Sequence, residues 1–360
     1  MLESFGDLPK RIKVGNKYIG EGEPVFITAD IGCNHNGDYF LAKKEIEAAA
    51  KAGVDAVKLQ KRFINEVAAK ELLERVQTKD QLFGKTYKEY REKLELNQED
   101  YYKLKVYAEE LGLVFFATPF DCKSVDFLEA VGVMVYKIAS QDQTHLPLIE
   151  YIAKLNKPVI ISLGAASLEE SDLAIKTILK YNQQVIVQYC VSAYPTIDEN
   201  QHQLNIPFLI DRYKPLPVGY SGHENTVLSS LVAVSLGAKT VERHFTLDKS
   251  LPGPDHGTVS LEPNELREMV ENIRRIEKIL GQPKKQLWAY EQRFRDKHGV
   301  SLVSVRRIPA GTYITQEMLT IKSPGYGLNP IDLPKVIGKR VKIDIEEDIV
   351  IIADHLEDYL

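Results

Sequence analysis

Eight short runs rich in Val, Ile, Phe and Tyr recur along the chain, and helix-like stretches separate them. The runs lie at residues 25–32, 56–61, 113–120, 134–140, 158–164, 184–190, 217–223 and 240–246. Strands that alternate with helices form a parallel α/β sheet, and eight strands are the number that closes such a sheet into a barrel. The sequence therefore predicts an α/β fold of the (β/α)8, or TIM-barrel, type.

Helix signals between the runs agree with this pattern. Asp38 is a candidate N-cap for a helix that extends to about Ala52, and Gly53 is its stop signal. Residues 262–280 carry apolar side chains with the 3.6-residue period, and Gly281 follows them. The long, charged insertion at 62–97 is predicted to be helical in part and to lie above the barrel mouth, as a lid or an interface element.

The chain changes character after residue 280. Residues 281–298 are polar and charged, and we interpret them as a linker. From 299 to 360, short β runs such as 301–306, 320–322 and 339–345 alternate with turn residues. A β-rich domain of about 60 residues is small for independent stability, so we expect it to pack on the barrel or on a partner subunit. The predicted domains are therefore 1–280, which begins with a hairpin at 11–22, and 299–360.

Charge and cysteine content exclude several classes of protein. The chain has 46 basic and 51 acidic residues among its 360, and no basic block suggests a nucleic-acid partner. Its three cysteines lie far apart, which argues against a disulfide framework. No stretch approaches the roughly 20 apolar residues of a membrane span, and the first residues lack the layout of a signal peptide. We therefore expect a cytoplasmic protein that binds neither nucleic acid nor membrane.

Polar side chains occur at the ends of all the predicted strands. Barrel enzymes place their chemistry at the C-terminal strand ends, where residues two apart share a face. Four strands end in polar pairs, namely Lys58 with Gln60, Ser140 with Asp142, Ser221 with His223, and Glu242 with His244. The other strands add single polar groups, namely Asp30, Thr118, Ser162 and Ser192. Because core filling alone does not produce this pattern, it predicts a site at the barrel mouth.

His223 and His244 end the last two predicted strands, which are neighbours in a closed barrel. Imidazoles on adjacent strand ends can share a divalent metal ion. With water and a substrate oxygen in the remaining positions, Mn²⁺ or Mg²⁺ fits such a shell better than structural zinc does. The alternative is two unrelated histidines, of which one acts as a base or hydrogen-bonding group and the other packs in the core.

Other strand-end residues also have more than one interpretation. Lys58 is a cation for a phosphate or carboxylate, a Schiff-base amine, or the partner of Asp30 or Glu242 in an ion pair. Asp255, in the turn after the last strand, either contacts substrate or serves that turn as an acceptor. The hydroxyl groups either bind phosphate oxygens or cap strand ends; they belong to Thr118, Ser140, Ser162 and Ser221.

Seven short motifs follow one another along the barrel region. They are ADIGCNHNG at 29–37, VKLQ at 57–60, FATPF at 116–120, YKIAS at 136–140, GYSGH at 219–223, ERHFTLDK at 242–249 and GPDH at 253–256. In this order the motifs resemble those of the sialic acid synthase family. In the tail, IPAG at 308–311 and PGYGL at 324–328 resemble the family's antifreeze-like (SAF) domain, a small C-terminal β-clip fold. The resemblance covers nearly the whole chain.

The resemblance implies a reaction. The family condenses phosphoenolpyruvate with an N-acyl aminohexose such as N-acetylmannosamine, forms a nine-carbon 2-keto acid and releases phosphate. By this resemblance His223 and His244 bind Mn²⁺, with Mg²⁺ or Co²⁺ as alternatives, and the metal polarises the sugar aldehyde. The implied sugar contacts are Gln60, Asp142 and Asp255. The implied phosphoenolpyruvate contacts are Lys58, Thr118, Ser140, Ser162 and Ser221, with Ser192 nearby.

The candidate catalytic residues are Lys58, Glu242 and Asp30. Glu242 is expected beside the metal, in a position suited to proton transfer. Asp30, or a water on the metal, is the candidate acid–base group for the water that attacks C2. Asp30 stands where the family commonly has Glu, and Gln141-Asp142 replace a frequent Gly-Glu or Gly-Asp.

The tail departs from the family pattern at one position. Ser323 stands where the family usually has an Arg that reaches into a partner's site. Lys322 is the candidate substitute for binding the sugar, although an ammonium group lacks the fork geometry of a guanidinium. The resemblance implies a domain-swapped homodimer.

Two alternative functions remain open. One is a synthase of legionaminic- or pseudaminic-type acid, or of a spore-coat or other surface-polysaccharide precursor, acting on a diacetamido-trideoxy sugar. The other is a non-catalytic sugar- or ice-binding protein. The set of Lys58, His223, His244 and Asp255 argues against the second, as does the lack of a regular Thr array.

Overall fold

A hairpin precedes a closed barrel of parallel strands. The computed structural model describes residues 7–78 and 81–359. Strands β1 (Arg11–Val14) and β2 (Lys17–Gly20) form the hairpin, with Gly15 at a φ of +60° in the tight turn between them. The barrel strands β3 to β10 are Phe26–Gly32, Ala56–Lys61, Val114–Pro119, Tyr136–Ile138, Val159–Leu163, Val185–Cys190, Val218–Gly222 and Thr240–His244.

The barrel closes because β10 pairs in parallel with both β9 and β3. Each predicted strand agrees with an observed one to within two residues at either end. This confirms the (β/α)8 prediction. The C-terminal ends of all eight strands therefore surround one mouth.

Helices cover the outside of the barrel and fill the insertion. Helices α1 to α11 are Tyr39–Ala52, Ile64–Val67, Lys70–Leu73, Tyr87–Lys93, Gln98–Glu110, Cys122–Val131, Leu146–Lys154, Leu168–Leu179, Asn205–Tyr213, Leu228–Ser235 and Pro263–Leu280. Short α2, α3 and α4 lie in the insertion between β4 and β5, which confirms its partly helical character. Among the described residues, no helix is both long and apolar enough to cross a membrane.

The boundaries of α1 follow the sequence signals. The Asp38 carboxylate accepts hydrogen bonds from the backbone N–H groups of Phe40 and Leu41, which helix formation leaves without partners. Gly53 ends the helix in the left-handed conformation at a φ of +86°. Both signals are local, and both predictions are confirmed.

The hairpin covers the N-terminal end of the barrel. Ile12, Val14 and Ile19 are buried against the inward-facing residues at the strand starts, including Phe26 and Phe116. The larger apolar core lies between the strands and the surrounding helices. Because the lower end is filled with apolar side chains, the polar groups of the strands face the opposite mouth.

The chain divides into two compact units, Met1–Gly281 and Gln282–Leu360. The second unit contains α12 (Ala289–His298), β11 (Ser301–Ser304), β12 (Leu319–Lys322) and α13 (Leu333–Val336). Its apolar core is formed by Leu302, Ile308, Ile314, Val336, Val341, Ile345, Ile351 and Leu356.

Two details of the second unit differ from the sequence prediction. The segment 281–298, predicted as a linker, holds the helix α12, whose aromatic Tyr290 and Phe294 are exposed. Residues 339–345 form isolated bridges at Arg340, Val341 and Ile345 instead of a strand. Polarity alone therefore does not separate a linker from an amphipathic or solvent-exposed helix.

Candidate active site

A polar cavity of about 310 Å³ opens at the C-terminal ends of the barrel strands. Most of the predicted site residues line it, namely Asp30, Lys58, Gln60, Thr118, Ser140, Ser162, Ser221, His223, Glu242, His244 and Asp255. These side chains come from the ends of seven of the eight strands and from the loop after β10, and they converge only because the sheet closes. The lining also includes Arg62, Arg91, Lys137, Tyr194 and Cys190.

Three predicted residues do not line this cavity. The Ser192 hydroxyl lies 2.8 Å from that of Ser140, which does line the cavity. Asp142 ends a short 3₁₀ turn that begins at Ser140, and Gln141 of the same turn faces the cavity in its place. Lys322 belongs to the second unit, where its ammonium is 2.5 Å from Asp348 Oδ1.

Two lysines and two carboxylates form a buried network at the base of the site. Lys58 Nζ lies 2.7 Å from Asp30 Oδ2 and 3.5 Å from Glu242 Oε1. Lys137 Nζ lies 2.6 Å from the same Glu242 oxygen. Lys58 also donates to the Thr118 hydroxyl at 3.3 Å. Each of these charged groups is at most 4% exposed. Their mutual ion pairing therefore offsets the free-energy cost of burying charged groups inside the barrel.

The network changes the pKa of its members in opposite directions. Burial opposes the charge of Lys58, but the Asp30 and Glu242 carboxylates outweigh burial and raise its pKa. Burial dominates at Lys137 and lowers its pKa despite the contact with Glu242. Burial would raise the pKa of Glu242, but Lys137 and Lys58 outweigh it and lower that pKa, so the carboxylate stays ionised.

Hydroxyl groups surround this network on several strands. Ser221 Oγ lies 3.5 Å from Glu242 Oε1, and Ser162 donates to Gln188 Oε1 at 3.2 Å. Thr118 and Ser140 complete the set. Lysines and hydroxyls on one concave surface can donate hydrogen bonds to the oxygens of a phosphate or carboxylate group.

The two strand-end imidazoles lie side by side. Their ring centroids are 5.4 Å apart, and the Tyr194 ring lies 4.1 Å from that of His223. His223 Nδ1 is 2.9 Å from the Val191 carbonyl oxygen, which can only accept, so this nitrogen donates and Nε2 keeps its lone pair. Burial lowers the pKa of His223 to about 3, so the ring is neutral.

A buried ion pair holds these two strand ends together. Arg243, on β10, lies 2.7 Å from Glu224, which follows His223 in the loop after β9. The Arg243 guanidinium also donates to the Glu224 and Thr226 carbonyl oxygens. Since both charged residues are only 1% exposed, the pair fixes the loop that carries His223 relative to the strand that ends in His244.

The donor set fits an open divalent metal site. His244 Nδ1, Asp30 Oδ1 and Glu242 Oε2 are buried and have no hydrogen-bond partner among the described residues. A neutral imidazole with a free lone pair is the form that binds a metal. No group of three or more His, Cys, Asp or Glu residues in the described ranges is arranged to hold an ion. The two imidazoles would therefore leave the other coordination positions to water and substrate oxygen.

The three predicted sugar contacts are Asp255, Gln60 and Asp142. Asp255 Oδ2 is 3.9 Å from His244 Nδ1, and Gln60 accepts a hydrogen bond from Arg62 at 2.5 Å. Burial raises the pKa of Asp142 to about 7, against the opposing effect of Arg62, and its Oδ2 has no partner among the described residues. The structure thus brings Gln60 and Asp255 to the cavity and places Asp142 beside it.

Sequence reasoning missed three cationic residues of the lining. Lys137 lies inside β6, and the residue two positions on is Ala139, so no polar pair marks this strand face. Arg62 follows β4 by one position, and Arg91 lies on α4 of the insertion. Two features of the sequence could have indicated them. Lys137 is a lysine within an apolar strand run, and Arg62 follows Gln60 by two residues, so that the two share a strand face.

The cavity has a charge balance opposite to that of the whole chain. Its lining has four basic side chains, Lys58, Arg62, Arg91 and Lys137, against the three carboxylates of Asp30, Glu242 and Asp255. The complete sequence has a formal net charge of −5. An anionic ligand is therefore attracted by the local lining and not by the overall field.

Comparison with protein families agrees with this geometry. The NeuB family model matches residues 45–285, and the SAF domain model matches residues 299–357. The chain belongs to the NeuB family. The resemblance to sialic acid synthases that the seven motifs indicate is thereby confirmed, and so is the barrel with a C-terminal SAF domain.

Relatives of this NeuB-family chain match it along almost its full length. The human N-acetylneuraminate-9-phosphate synthase is 38% identical over 344 residues, which are 95% of this chain and 96% of the relative. The N,N'-diacetyllegionaminic acid synthase of Legionella pneumophila is 35% identical, and the match covers 95% of this chain and 98% of the relative. The crystal structure of a sialic acid synthetase from Leptospira borgpetersenii, in complex with citrate, has a TM-score of 0.70 at 34% identity and covers 80% of this chain and 96% of its own.

Proposed function

We propose that this NeuB-family protein condenses phosphoenolpyruvate with an N-acyl aminohexose such as N-acetylmannosamine, forms a nine-carbon sialic-acid-type 2-keto acid and releases phosphate. One observation carries the proposal: two buried lysines, several hydroxyls and two neighbouring imidazoles face a single cavity at the barrel mouth. The names of the relatives above, which are synthases of such acids, support it.

Phosphoenolpyruvate fits the lysine side of this cavity. Its phosphate and carboxylate need cationic and hydroxyl donors, and Lys58, Lys137 and the surrounding Thr and Ser hydroxyls provide them. Both ammonium groups already contact Glu242, so the anionic substrate would share these two cations with a carboxylate of the site. The fixed donors also hold the enol carbon in one orientation toward the second substrate.

The sugar aldehyde fits the imidazole side. His223 and His244 are the residues that would hold a divalent cation, with Mn²⁺ preferred and Mg²⁺ or Co²⁺ as alternatives. When bound, such a cation acts as a Lewis acid that polarises a carbonyl oxygen. Asp255 and Gln60, which line the same mouth, are placed to orient the sugar hydroxyl and amide groups.

We assign the proton transfers of the reaction to the carboxylates of Glu242 and Asp30. The enol C3 of phosphoenolpyruvate forms a bond to the aldehyde carbon, whose oxygen takes up a proton. Water then adds to the resulting cation at C2 and gives up a proton, and the tetrahedral intermediate loses phosphate to leave the 2-keto acid. Glu242, whose pKa is lowered by Lys137 and Lys58 against burial, can accept a proton. Asp30 has a buried oxygen without a partner among the described residues, and we assign it to the attacking water.

Release of phosphate is the direct test of this reaction. We expect the protein with Mn²⁺, phosphoenolpyruvate and an N-acyl aminohexose to release one phosphate for each 2-keto acid formed. The acceptor panel includes N-acetylmannosamine and diacetamido-trideoxy sugars, since synthases of legionaminic and pseudaminic acids are among the relatives. If phosphate is not released from phosphoenolpyruvate with any acceptor in the panel, the proposal is wrong.

Substitution of Lys137 tests the assignment of the buried lysines. Lys137→Met removes one cation from the cavity, so we expect kcat/KM for phosphoenolpyruvate to fall by about 10²- to 10³-fold. The matched control is Lys154→Met, because Lys154 is an exposed lysine on α7, and its activity should match that of the parent protein. An unchanged kcat/KM in Lys137→Met would contradict the role of this residue.

The metal assignment has a readout that does not depend on activity. We expect elemental analysis of the protein loaded with Mn²⁺ and desalted to find about one ion per chain, and His223→Ala to lose it. The control His298→Ala changes an exposed histidine of α12 and should keep the ion. Full metal content and full activity in His223→Ala would refute the assignment.

The homodimer with exchanged C-terminal domains is part of the same proposal. The second unit is small, and it exposes the aromatic residues Tyr290, Phe294, Tyr313 and Tyr326. Lys322, on β12 of this unit, is our candidate for a cation that completes the sugar site of the partner. Its pairing with Asp348 is exposed and therefore weak enough to be exchanged for a ligand.

A further inference from the structure

The motif at 29–37 contains two asparagines, Asn34 and Asn36, to which the reaction derived above gives no role. We propose that both are positioning residues for the acceptor sugar, because they anchor the turn at 252–256 that presents Asp255 to the cavity. The proposal rests on the proposed function, in which Asp255 orients the sugar, and it adds the residues that determine where this carboxylate lies.

The turn that carries Asp255 has no regular structure to hold it. Between β10 and α11, residues 246–260 form neither helix nor strand. Asp255 is only half-buried, yet its Oδ2 lies 3.9 Å from His244 Nδ1 at the imidazole side of the cavity. Side-chain contacts from outside the turn are therefore needed to keep this carboxylate in one position before a substrate binds.

Asn34 anchors the C-terminal half of the turn. This residue is fully buried, and its Nδ2 donates to the Phe245 carbonyl oxygen at 2.8 Å and to the Ser260 hydroxyl at 2.9 Å. The Ser260 hydroxyl in turn donates to the backbone carbonyl oxygen of Asp255 at 2.8 Å. One amide group thus connects the residue after β10 with the backbone of the residue whose carboxylate lines the cavity.

Asn36 anchors the N-terminal half of the turn. Its Nδ2 donates to the Pro252 carbonyl oxygen at 2.7 Å, and its Oδ1 lies 3.4 Å from His256 Nε2. Gly253 lies between these two contacts at a φ of +141°, and a Cβ at this position would come within 2.6 Å of Asn36 Oδ1. The amide therefore packs against a backbone position where any residue other than glycine would clash.

The backbone of Asn36 itself provides a clean substitution. Its φ is +52°, in the left-handed region that asparagine tolerates and glycine adopts without strain. Asn36→Gly therefore removes the amide and keeps the backbone conformation. Asn156→Gly is the matched control, because Asn156 has a φ of +53° and is exposed before β7, at the opposite end of the barrel.

The kinetic test separates the two substrates. With the acceptor of the panel that has the highest kcat/KM, we expect Asn36→Gly to raise the KM for the acceptor about 5- to 20-fold and to leave the KM for phosphoenolpyruvate within about 2-fold. Asn156→Gly should change neither. An equal rise in both KM values would overturn the proposal, since the asparagine would then support the whole barrel mouth and not the sugar contact.

Ser260→Ala tests the second anchor independently. It removes the hydroxyl that links Asn34 to the Asp255 carbonyl, so we expect the same selective rise in the KM for the acceptor. Its matched control is Ser235→Ala on α10, where an exposed hydroxyl also donates to a backbone carbonyl oxygen, that of Leu231, at 2.9 Å. An unchanged KM for the acceptor in both Asn36→Gly and Ser260→Ala would overturn the proposal.

A double-mutant cycle shows whether the asparagine acts through Asp255. In the Asp255→Ala background the positioned carboxylate is absent, so Asn36→Gly should no longer lower kcat/KM for the acceptor. A further loss of the full size in that background would overturn the proposal, because the two residues would then act independently.

Hydrogen exchange separates the anchoring of the turn from the reaction itself. We expect the backbone amide hydrogens between residues 253 and 257 to exchange about 10-fold faster in Asn36→Gly than in the parent protein or in Asn156→Gly. This result in a protein that uses no acceptor of the panel would support the anchoring and show that the proposed reaction alone is wrong. Unchanged exchange in both Asn36→Gly and Ser260→Ala would overturn the anchoring even where phosphate release is observed.

Discussion

At the scale of single residues, partners decide what a buried carboxyl group does. Glu242 and Glu45 are both buried, but two lysines hold Glu242 ionised, whereas neither oxygen of Glu45 has a hydrogen-bond partner among the described residues. Burial alone raises the pKa of Glu45 well above its ordinary value. The first group is available for chemistry, and the second costs stability because it must stay protonated or be buried as a charge.

Replacement of Glu45 by an apolar side chain should stabilise the protein. Glu45→Met has similar length and removes the unpartnered carboxyl group from α1, so we expect the free energy of unfolding at pH 8 to rise by about 1–3 kcal/mol. Urea titration measures this change. The control Lys44→Met, at an exposed position of the same helix, should change it by less than about 0.5 kcal/mol.

The same substitution has a defined dependence on pH. A raised pKa means that the folded protein holds the Glu45 proton more tightly than the unfolded chain does, so the stability of the parent falls as the pH rises above the ordinary value of 4.5. Met does not titrate, and the advantage of Glu45→Met should therefore grow from pH 4 to pH 8. An advantage that shrinks over this range would contradict the explanation.

At the scale of elements, α1 shows how local chemistry sets a helix boundary. The Asp38 side chain satisfies the N–H groups of Phe40 and Leu41 at 2.7 and 3.0 Å. We expect Asp38→Ala to lower the free energy of unfolding by about 1 kcal/mol in urea titration. Asp38→Ser keeps a capping oxygen and should retain most of the stability. Equal losses in the two variants would show that the cap is not the cause.

At the scale of the whole molecule, the proposed exchange of C-terminal domains can be tested by complementation. Lys58→Met disables the barrel site, and Lys322→Ala removes the cation of the second unit. If each site takes Lys322 from the partner subunit, co-refolding equal amounts gives mixed dimers with one intact site, and about a quarter of the parent activity should return. No recovery above that of the separate variants would contradict the exchange, as would a monomer in sedimentation at micromolar concentration.

The fold was within reach of sequence reasoning because its signals are local. Strand runs, the Asp38 cap and the Gly53 stop each depend on a few neighbouring residues, and the number of strands then leaves one closed architecture. The strand-end residues that line the cavity were predicted from the same strand boundaries. Residues 281–298 show the limit of local sequence signals, because a polar composition is compatible with both a linker and the exposed helix α12.

What the sequence determined by itself is the barrel, its family and most of the residues at its mouth, since each rests on order and spacing along the chain. Only the tertiary structure decided which charges meet. Lys137 pairs with Glu242 across 105 positions of sequence, and Arg62 shares a cavity wall with Arg91 of the insertion. Such pairs depend on closure of the sheet and on the fold of a loop, and in a low-dielectric interior the contacts among Lys58, Lys137 and Glu242 shift the pKa values of these three groups.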